Sequence, residues 1–445
     1  MTIAHFFSIP LQTDFQQLYV QLHPYFGFVF LQDDDQPVLA MLPKSLWQPE
    51  QQIQYIRQED LSYQKIVQTQ DVDFLPTHTT TSSYQGFTGG YIAFFSYDYA
   101  AQQHIPLRHV QQPSAIVAEY DIFIRHIQGK WQLYVADELR QSPDIQALID
   151  TLQKNHTPQY PTSFTLQHPM QARWTKAEYA DAFQRVQAYL HAGDCYQVNL
   201  TQQFYAEIAQ GRLSALLPEL LTLSQAPYAA YWAIDDFELL SCSPELFIEF
   251  QDQRVLRTRP IKGTLPRHPD AQEDRKQKAK LAQSDKDKAE NLMIVDLLRN
   301  DLSLYAEIGS VKVPHLFEIE SFAQVHHMVS EIQATLKPDV DVLNVLNAAL
   351  PGGSITGAPK IRAMQIIDEL EGHARGAYCG SLGYINYDGT GRFNILIRTL
   401  QRYGNQVNIW AGGGITVASQ LDAEYQESLD KVAALLAVLN QYAKI

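Results

Sequence analysis

The sequence predicts an α+β fold, and three features carry that expectation. Short aromatic and β-branched runs fill the first third of the chain. Strands and helices then alternate irregularly, without the regular βαβ spacing that builds a parallel sheet. A long charged helical segment and a closing amphipathic one supply distinct helical layers.

The strands come first. Residues 26–31 form a short aromatic and β-branched run, and residues 37–42 a second, after the polar turn Asp33, Asp34, Asp35. Residues 91–97 form a third, introduced by Gly89 and Gly90. Residues 116–127 and 131–135 flank Gln128-Gly129, which reads as a hairpin turn. Such side chains suit a pleated, half-buried surface. Residues 155–172, rich in Pro, Thr, Gln and His without a period, read as a connector. The expected division is therefore an N-terminal region at 1–155, a connector at 156–173 and a larger unit at 174–445.

Residues 174–191 predict a helix, with Ala180, Phe183, Val186 and Leu190 on one face. Strands are expected at 197–204 and 245–250. Residues 274–302 read as one long charged helix ending in an apolar turn, and 359–370 as a helix entered through Pro359 near its first turn. Further strands are expected at 381–386, 393–400 and 407–411. Residues 422–443 close the chain as an amphipathic helix, its stripe being Tyr425, Leu429, Val432, Leu436 and Leu439.

Composition narrows the function. The chain has 445 residues, 45% hydrophobic and 19% charged, which supports a large core and excludes a disordered chain. A net charge of −15 argues against a nucleic-acid surface or docking on anionic lipid. Any anionic substrate then needs a cation in its site. Cys195, Cys242 and Cys379 are distant and odd in number, the pattern of reduced cytoplasmic thiols and not of a disulfide framework. The start of the chain shows no basic region followed by an apolar run, and no apolar stretch is long enough to span a bilayer.

Three sets of residues carry candidate chemistry. Lys262 sits between Pro260 and Gly263-Thr264, where proline fixes the entry and glycine admits a close ligand. A lysine in a dry turn becomes a nucleophile, yet most lysines are solvated, so its turn alone favours a surface lysine. Asp287 and Glu290 lie three apart, as do Glu424 and Glu427, each pair on one helix face. Two such faces can hold Mg²⁺ through hard oxygens, but spacing alone favours solvated acidic faces. Gly412-Gly413-Gly414 follows an expected strand, and residues 351–360 (PGGSITGAPK) lead into a helix. Both can offer backbone N–H groups to an anion, or simply turn. The second is no P-loop, because Gly357 is followed by Ala358-Pro359-Lys360. His326-His327, Tyr378, Arg398 and Lys431 complete the candidates. No Gly-x-Cys-x-Gly or Gly-x-Ser-x-Gly elbow occurs, so no glutaminase or serine-hydrolase site is expected here.

Together these strings resemble the chorismate-utilising enzymes. The matching segments are Ser243-Pro244-Glu245, RPIKGTLPR at 259–267, AENLMIVDLLRND at 289–301 and His327-Met328-Val329-Ser330. PGGSITGAPKIRAM at 351–364 and residues 412–427 continue the match, which spans about 174–440. FTGGYIAFFSYD at 87–98 resembles the family's accessory region more loosely. The resemblance implies a large two-sheet β-sandwich-like core flanked by helices, with a chorismate-binding catalytic domain at 174–445.

The resemblance also implies a reaction. Water-adding members carry a lysine where this chain has Gln197, and anthranilate-forming members usually carry alanine where it has Lys262. A lysine there resembles the branch that makes 4-amino-4-deoxychorismate, for 4-aminobenzoate and folate. Lys262 is then the covalent nucleophile and Glu245 the acid that protonates the departing hydroxyl. Glu290 and Glu427 are the implied Mg²⁺ ligands, with Glu424 and Asp287 beside them. Gly263, Thr264, His327, Tyr378, Arg398, Gly412, Gly413, Gly414 and Lys431 are the implied substrate groups. Ammonia is expected from a separate glutaminase subunit. Pro227, Tyr228 and Ala229 resemble part of a tryptophan pocket, whose other wall near Leu31-Gln32 departs from the family's serine-containing strand. The alternatives are an anthranilate-forming member and an inactive scaffold partner.

Overall fold

A computed structural model of the chain describes residues 5–67, 86–111, 113–154, 164–322 and 325–444. Residues 155–163 of the expected connector lie outside the described residues. Its remainder supplies two short strands, Thr165–Leu166 and Gln171–Ala172, that pair with a later strand of the larger unit.

Six strands and four helices build the site and are labelled here. They are β1 (Gln197–Gln210), β2 (Phe237–Ser243), β3 (Ile261–Pro266), β4 (Val325–Thr335), β5 (Thr399–Tyr403) and β6 (Gln406–Ile415). The helices are α1 (Lys176–Ala192), α2 (Asp285–Ser303), α3 (Lys360–Glu371) and α4 (Leu421–Asp430).

Two antiparallel sheets face each other. One runs from the edge strand Phe6–Leu11 through Lys130–Ala136, Ile122–Ile127, Val38–Ala40, Val29–Leu31 and Tyr228–Ile234 to β2, β5, β6 and β1. The other runs from β3 through β4, Val255–Thr258, Leu246–Phe250, Gly391–Asn394 and Ser381–Asn386 to Gly90–Phe95 and Ala115–Tyr120. Strands from the N-terminal region thus extend both sheets. Alternation explains how one strand serves two layers. Ile92 and Phe94 point between the sheets, towards Val29 and Leu31, while Ala93 and Phe95 pack with α1, α2 and α3 on the outer face. Phe30, opposite in phase to its neighbours, packs with the outer helices of the first sheet. The α+β, two-sheet expectation therefore holds. Among the described residues no helix is long and apolar enough to cross a membrane.

Several expected elements are split, each for a local reason. The charged segment is two helices, Ala271–Ala282 and α2, because the Ser284 side chain caps the second by accepting the Asp287 N–H at 3.3 Å. The closing helix is broken at Lys431 and Val432 into α4 and Ala433–Gln441. Residues 116–127 are two strands in different sheets, hinged at Asp121. Residues 393–400 are likewise divided between sheets. α1 appears where expected, closed by a reciprocal capping box between Thr175 and Glu178.

Candidate active site

Two sheet-to-sheet crossovers form one end of the site. The chain leaves the first sheet at Ser243, and Leu246 already belongs to the second. The return crossing runs from Asn394 to Thr399. Hydrogen bonds join the two crossings. Ser243 Oγ donates to the Ile395 carbonyl at 2.5 Å, the Ile395 N–H to the Glu245 carbonyl at 3.1 Å, and the Cys242 N–H to the Arg398 carbonyl at 3.0 Å. Glu245 and Arg398 sit on these crossings and line one cleft of about 760 Å³.

Glu245 is buried, and burial pushes its carboxyl up to about 7. The charge of Lys262, the Ser354 hydroxyl donating at 3.3 Å and the Ile261 N–H pull the other way. A carboxyl that keeps its proton near neutrality suits a general acid. Lys262 Nζ, on β3, donates to the Ser354 carbonyl at 3.2 Å. Burial pushes this amine below the usual lysine value; Glu290 and Glu245 oppose the shift and Lys431 assists it. Gly263 follows at φ +85°, where a Cβ would come within 2.9 Å of Asp287 Cγ, so glycine lets β3 lie against α2.

Thr264 Oγ1 and His327 Nδ1 are 2.7 Å apart. Burial, then Arg398 and His326, push the His327 imidazole down to about 4, so it is neutral at physiological pH. His326 faces the opposite side of β4, bonded to Ser321 Oγ at 2.8 Å and Asp274 at 3.0 Å, and serves the fold. Arg398 has left-handed backbone, φ 52°, and burial pushes its guanidinium below the usual arginine value. Tyr378 stacks on Trp410 with ring centroids 6.2 Å apart.

The glycine triplet does not turn. It lies inside β6, where Gly412, Gly413 and Gly414 pair with Thr201, Leu200 and Asn199 of β1. A Cβ at Gly412 would meet the Leu200 carbonyl at 2.1 Å, and one at Gly414 the Gln197 side chain at 2.7 Å. A Cβ at Gly413 would instead reach towards Glu424 Oε2 at 3.2 Å and Lys431 Nζ at 3.5 Å. Gly413 therefore keeps the cleft open, while its neighbours permit close packing. Gln197 is fully buried, with neither amide head partnered among the described residues.

Asp287 and Glu290 enter the cleft from α2, and Glu424 and Glu427 from α4. Burial raises the Glu290 pKa; Lys262 and Lys286 counter it, and Asp287 and Glu424 add to it. Burial also opposes the charge on Glu427, but Lys431 at 2.7 Å, with Lys286 and Lys262, outweighs it and holds the pKa below the usual carboxylate value. Glu424 accepts from Ser419 Oγ at 2.7 Å, and Lys431 also donates to the Gly412 carbonyl at 2.8 Å. Among the described residues no three such groups already converge as an ion cage.

The cleft thus collects every residue proposed for catalysis, metal or substrate. The tryptophan-pocket candidates lie elsewhere. Tyr228 and Ala229 line a separate cavity of about 20 Å³ with Leu31, Asp33 and Arg392. That volume suits about one water. Pro227 is outside its lining, and its carbonyl accepts the Asp34 N–H at 2.7 Å. Asn199, Trp410 and Ser354 line the main cleft without having been singled out. Ser354 lay in the string read as anion-binding backbone. Its contacts with Lys262 and Glu245 span 92 and 109 residues, beyond any local pattern.

A family model described as chorismate binding enzyme matches residues 27–437, and the chain belongs to that family. Within it, the chain is 44% identical over 379 residues to aminodeoxychorismate synthase component 1 of Escherichia coli (strain K12), covering 83% of this chain and 80% of that one. It is 38% identical to aminodeoxychorismate synthase component 1 of Streptomyces lividans, over 79% of this chain and 74% of that one. Anthranilate synthase component I from Streptococcus pneumoniae TIGR4 superposes with a TM-score of 0.76 at 26% identity, covering 90% and 92% of the two chains.

Proposed function

We propose that this chain aminates chorismate to 4-amino-4-deoxychorismate, through a covalent intermediate on Lys262, in the route to 4-aminobenzoate and folate. The observation that carries the reading is the pairing of a lysine pushed towards its neutral form with a carboxyl pushed towards its acid form in one cleft. The names of the most similar curated relatives support the same activity.

The residues divide the work. The Lys262 lone pair attacks C2 of the ring, the double bond shifts, and the C4 hydroxyl leaves as water with the proton of Glu245. Ammonia then attacks C4, the double bond shifts back, and the C2–nitrogen bond breaks. Lys262 leaves as a neutral amine, and the proton shed by the incoming ammonia returns to Glu245. The sum is chorismate plus ammonia giving product plus water. Arg398 holds a substrate carboxylate, neutral His327 and Thr264 border the ring, and Tyr378 with Trp410 forms an apolar wall.

Glu290 and Glu427 would hold Mg²⁺, with Asp287 and Glu424 beside them. The donor set fits: hard carboxylates from two helices share the cleft, and the negative charges of Asp287 and Glu424 already weigh on Glu290. The ion would neutralise a substrate carboxylate. Ammonia arrives from a separate glutaminase subunit, a reading supported by the name component 1 among relatives. The three buried, unpaired cysteines support a reducing cytoplasmic setting. Gln197 cannot act as a base towards water, which favours amination over hydration.

Incubation with chorismate, Mg²⁺ and an ammonium salt tests the reading. The expected product releases 4-aminobenzoate once a lyase removes pyruvate. Fluorescent anthranilate as the direct product would contradict it.

A further inference from the structure

We infer that Ser354, whose carbonyl bonds the Lys262 amine, is a positioning residue for the acid, its hydroxyl selecting which Glu245 oxygen carries the proton. The inference rests on the proposed roles of those two residues.

The geometry is two bonds from one residue. Lys262 Nζ donates to the Ser354 carbonyl at 3.2 Å, and Ser354 Oγ donates to Glu245 Oε1 at 3.3 Å. A neutral amine has two N–H bonds and one lone pair. Committing one N–H to a fixed carbonyl limits the directions the lone pair can take. A neutral carboxyl has one hydroxyl and one carbonyl oxygen, and the carbonyl oxygen is the better acceptor. A donor at Oε1 therefore leaves the proton on Oε2.

Such a role needs a rigid mount, and Ser354 has one. The Ile355 carbonyl accepts from Asn199 Nδ2 at 2.9 Å and from Arg375 at 3.3 Å. The Asn199 N–H bonds the Thr356 carbonyl at 2.8 Å, tying the loop to β1. On the other side, a Cβ at Gly353 would come within 2.2 Å of Leu297 Cδ2, so the loop backbone lies flush against α2. That is also the helix carrying Asp287 and Glu290.

The test compares Ser354→Ala, Ser354→Cys and Ser354→Thr with the unaltered chain, using chorismate, Mg²⁺ and ammonium. Alanine removes the hydroxyl, cysteine keeps its size with a weak donor, and threonine keeps the hydroxyl. The groups facing Glu245, namely Lys262, Lys431, Arg398 and Cys379, are unchanged in all three. Alanine and cysteine are expected to lower kcat about tenfold with little change in KM, as for one lost catalytic hydrogen bond. The limb of the pH profile set by Glu245 moves up by about half a unit to one unit, because a donor favouring the carboxylate is gone. Threonine restores both. If the alanine variant does not fold, the cysteine variant carries the comparison. Unchanged kcat and an unmoved limb in the folded variants, or an effect on KM alone, would overturn the inference. Lys262→Ala is run in parallel: if it still aminates, the nucleophile reading fails, whereas if only Lys262→Ala is inactive, the Ser354 role alone falls.

Discussion

At Glu245 burial favours the neutral carboxyl, and at Lys262 the same burial favours the neutral amine. Both shifts run towards the protonation states the proposed first step consumes. Because the two groups interact, the pH dependence belongs to the pair. The rate is expected to be bell-shaped in pH, falling at low pH as Lys262 gains a proton and at high pH as Glu245 loses one. Glu245→Gln should cost roughly 10²–10⁴ in kcat, the usual worth of a positioned acid, and should abolish the alkaline limb. A pH series on both proteins checks this, and a surviving alkaline limb would assign it to another group. In the proposed mechanism Arg398 acts on substrate affinity instead. Arg398→Ala should raise KM for chorismate while the fold, followed by circular dichroism, stays intact.

At the scale of elements, the triplet in β6 separates structure from function within three residues. Gly412→Ala drives a Cβ into the Leu200 carbonyl and should destabilise by roughly 1–3 kcal/mol, read from urea unfolding. Gly413→Ala meets side-chain ends in the cleft, so stability should hold while chorismate binding weakens. Equal loss of stability in both would refute the distinction. The same strand shows what a sequence can and cannot tell. Periodicity marked α1 and the strand patterns, since these depend on neighbours three, four or two apart. It missed the crossings at 244–245 and 395–398; the second continues an apolar run, Ile395-Leu396-Ile397, while changing sheets. It also missed the break at Lys431, where the amine bonds the Gly412 carbonyl and Glu427. Spacing alone leaves the triplet open between an anion-binding backbone and a turn, because the need for glycine arises from β1 and α4, far away in sequence. Family strings recovered the cleft residues; Ser354 was passed over because its partners are long-range.

Over the whole molecule, the N-terminal strands complete both sheets, and Val29, Ile92 and Phe94 are core residues of the sandwich. We propose that residues 1–155 and 174–445 fold together. Urea unfolding should show one transition by fluorescence and circular dichroism, and a 174–445 fragment should expose its inner sheet faces and aggregate. Two separated transitions would contradict this. The central claim concerns the chemistry that this frame positions. Intact-mass spectrometry of the protein with chorismate and Mg²⁺, without ammonia, tests it most directly. The account predicts a mass gain of one chorismate less one water, mapped by peptide digestion to Lys262, absent in Lys262→Ala and discharged by ammonium. Full turnover with no adduct, and undiminished turnover in Lys262→Ala, would contradict it.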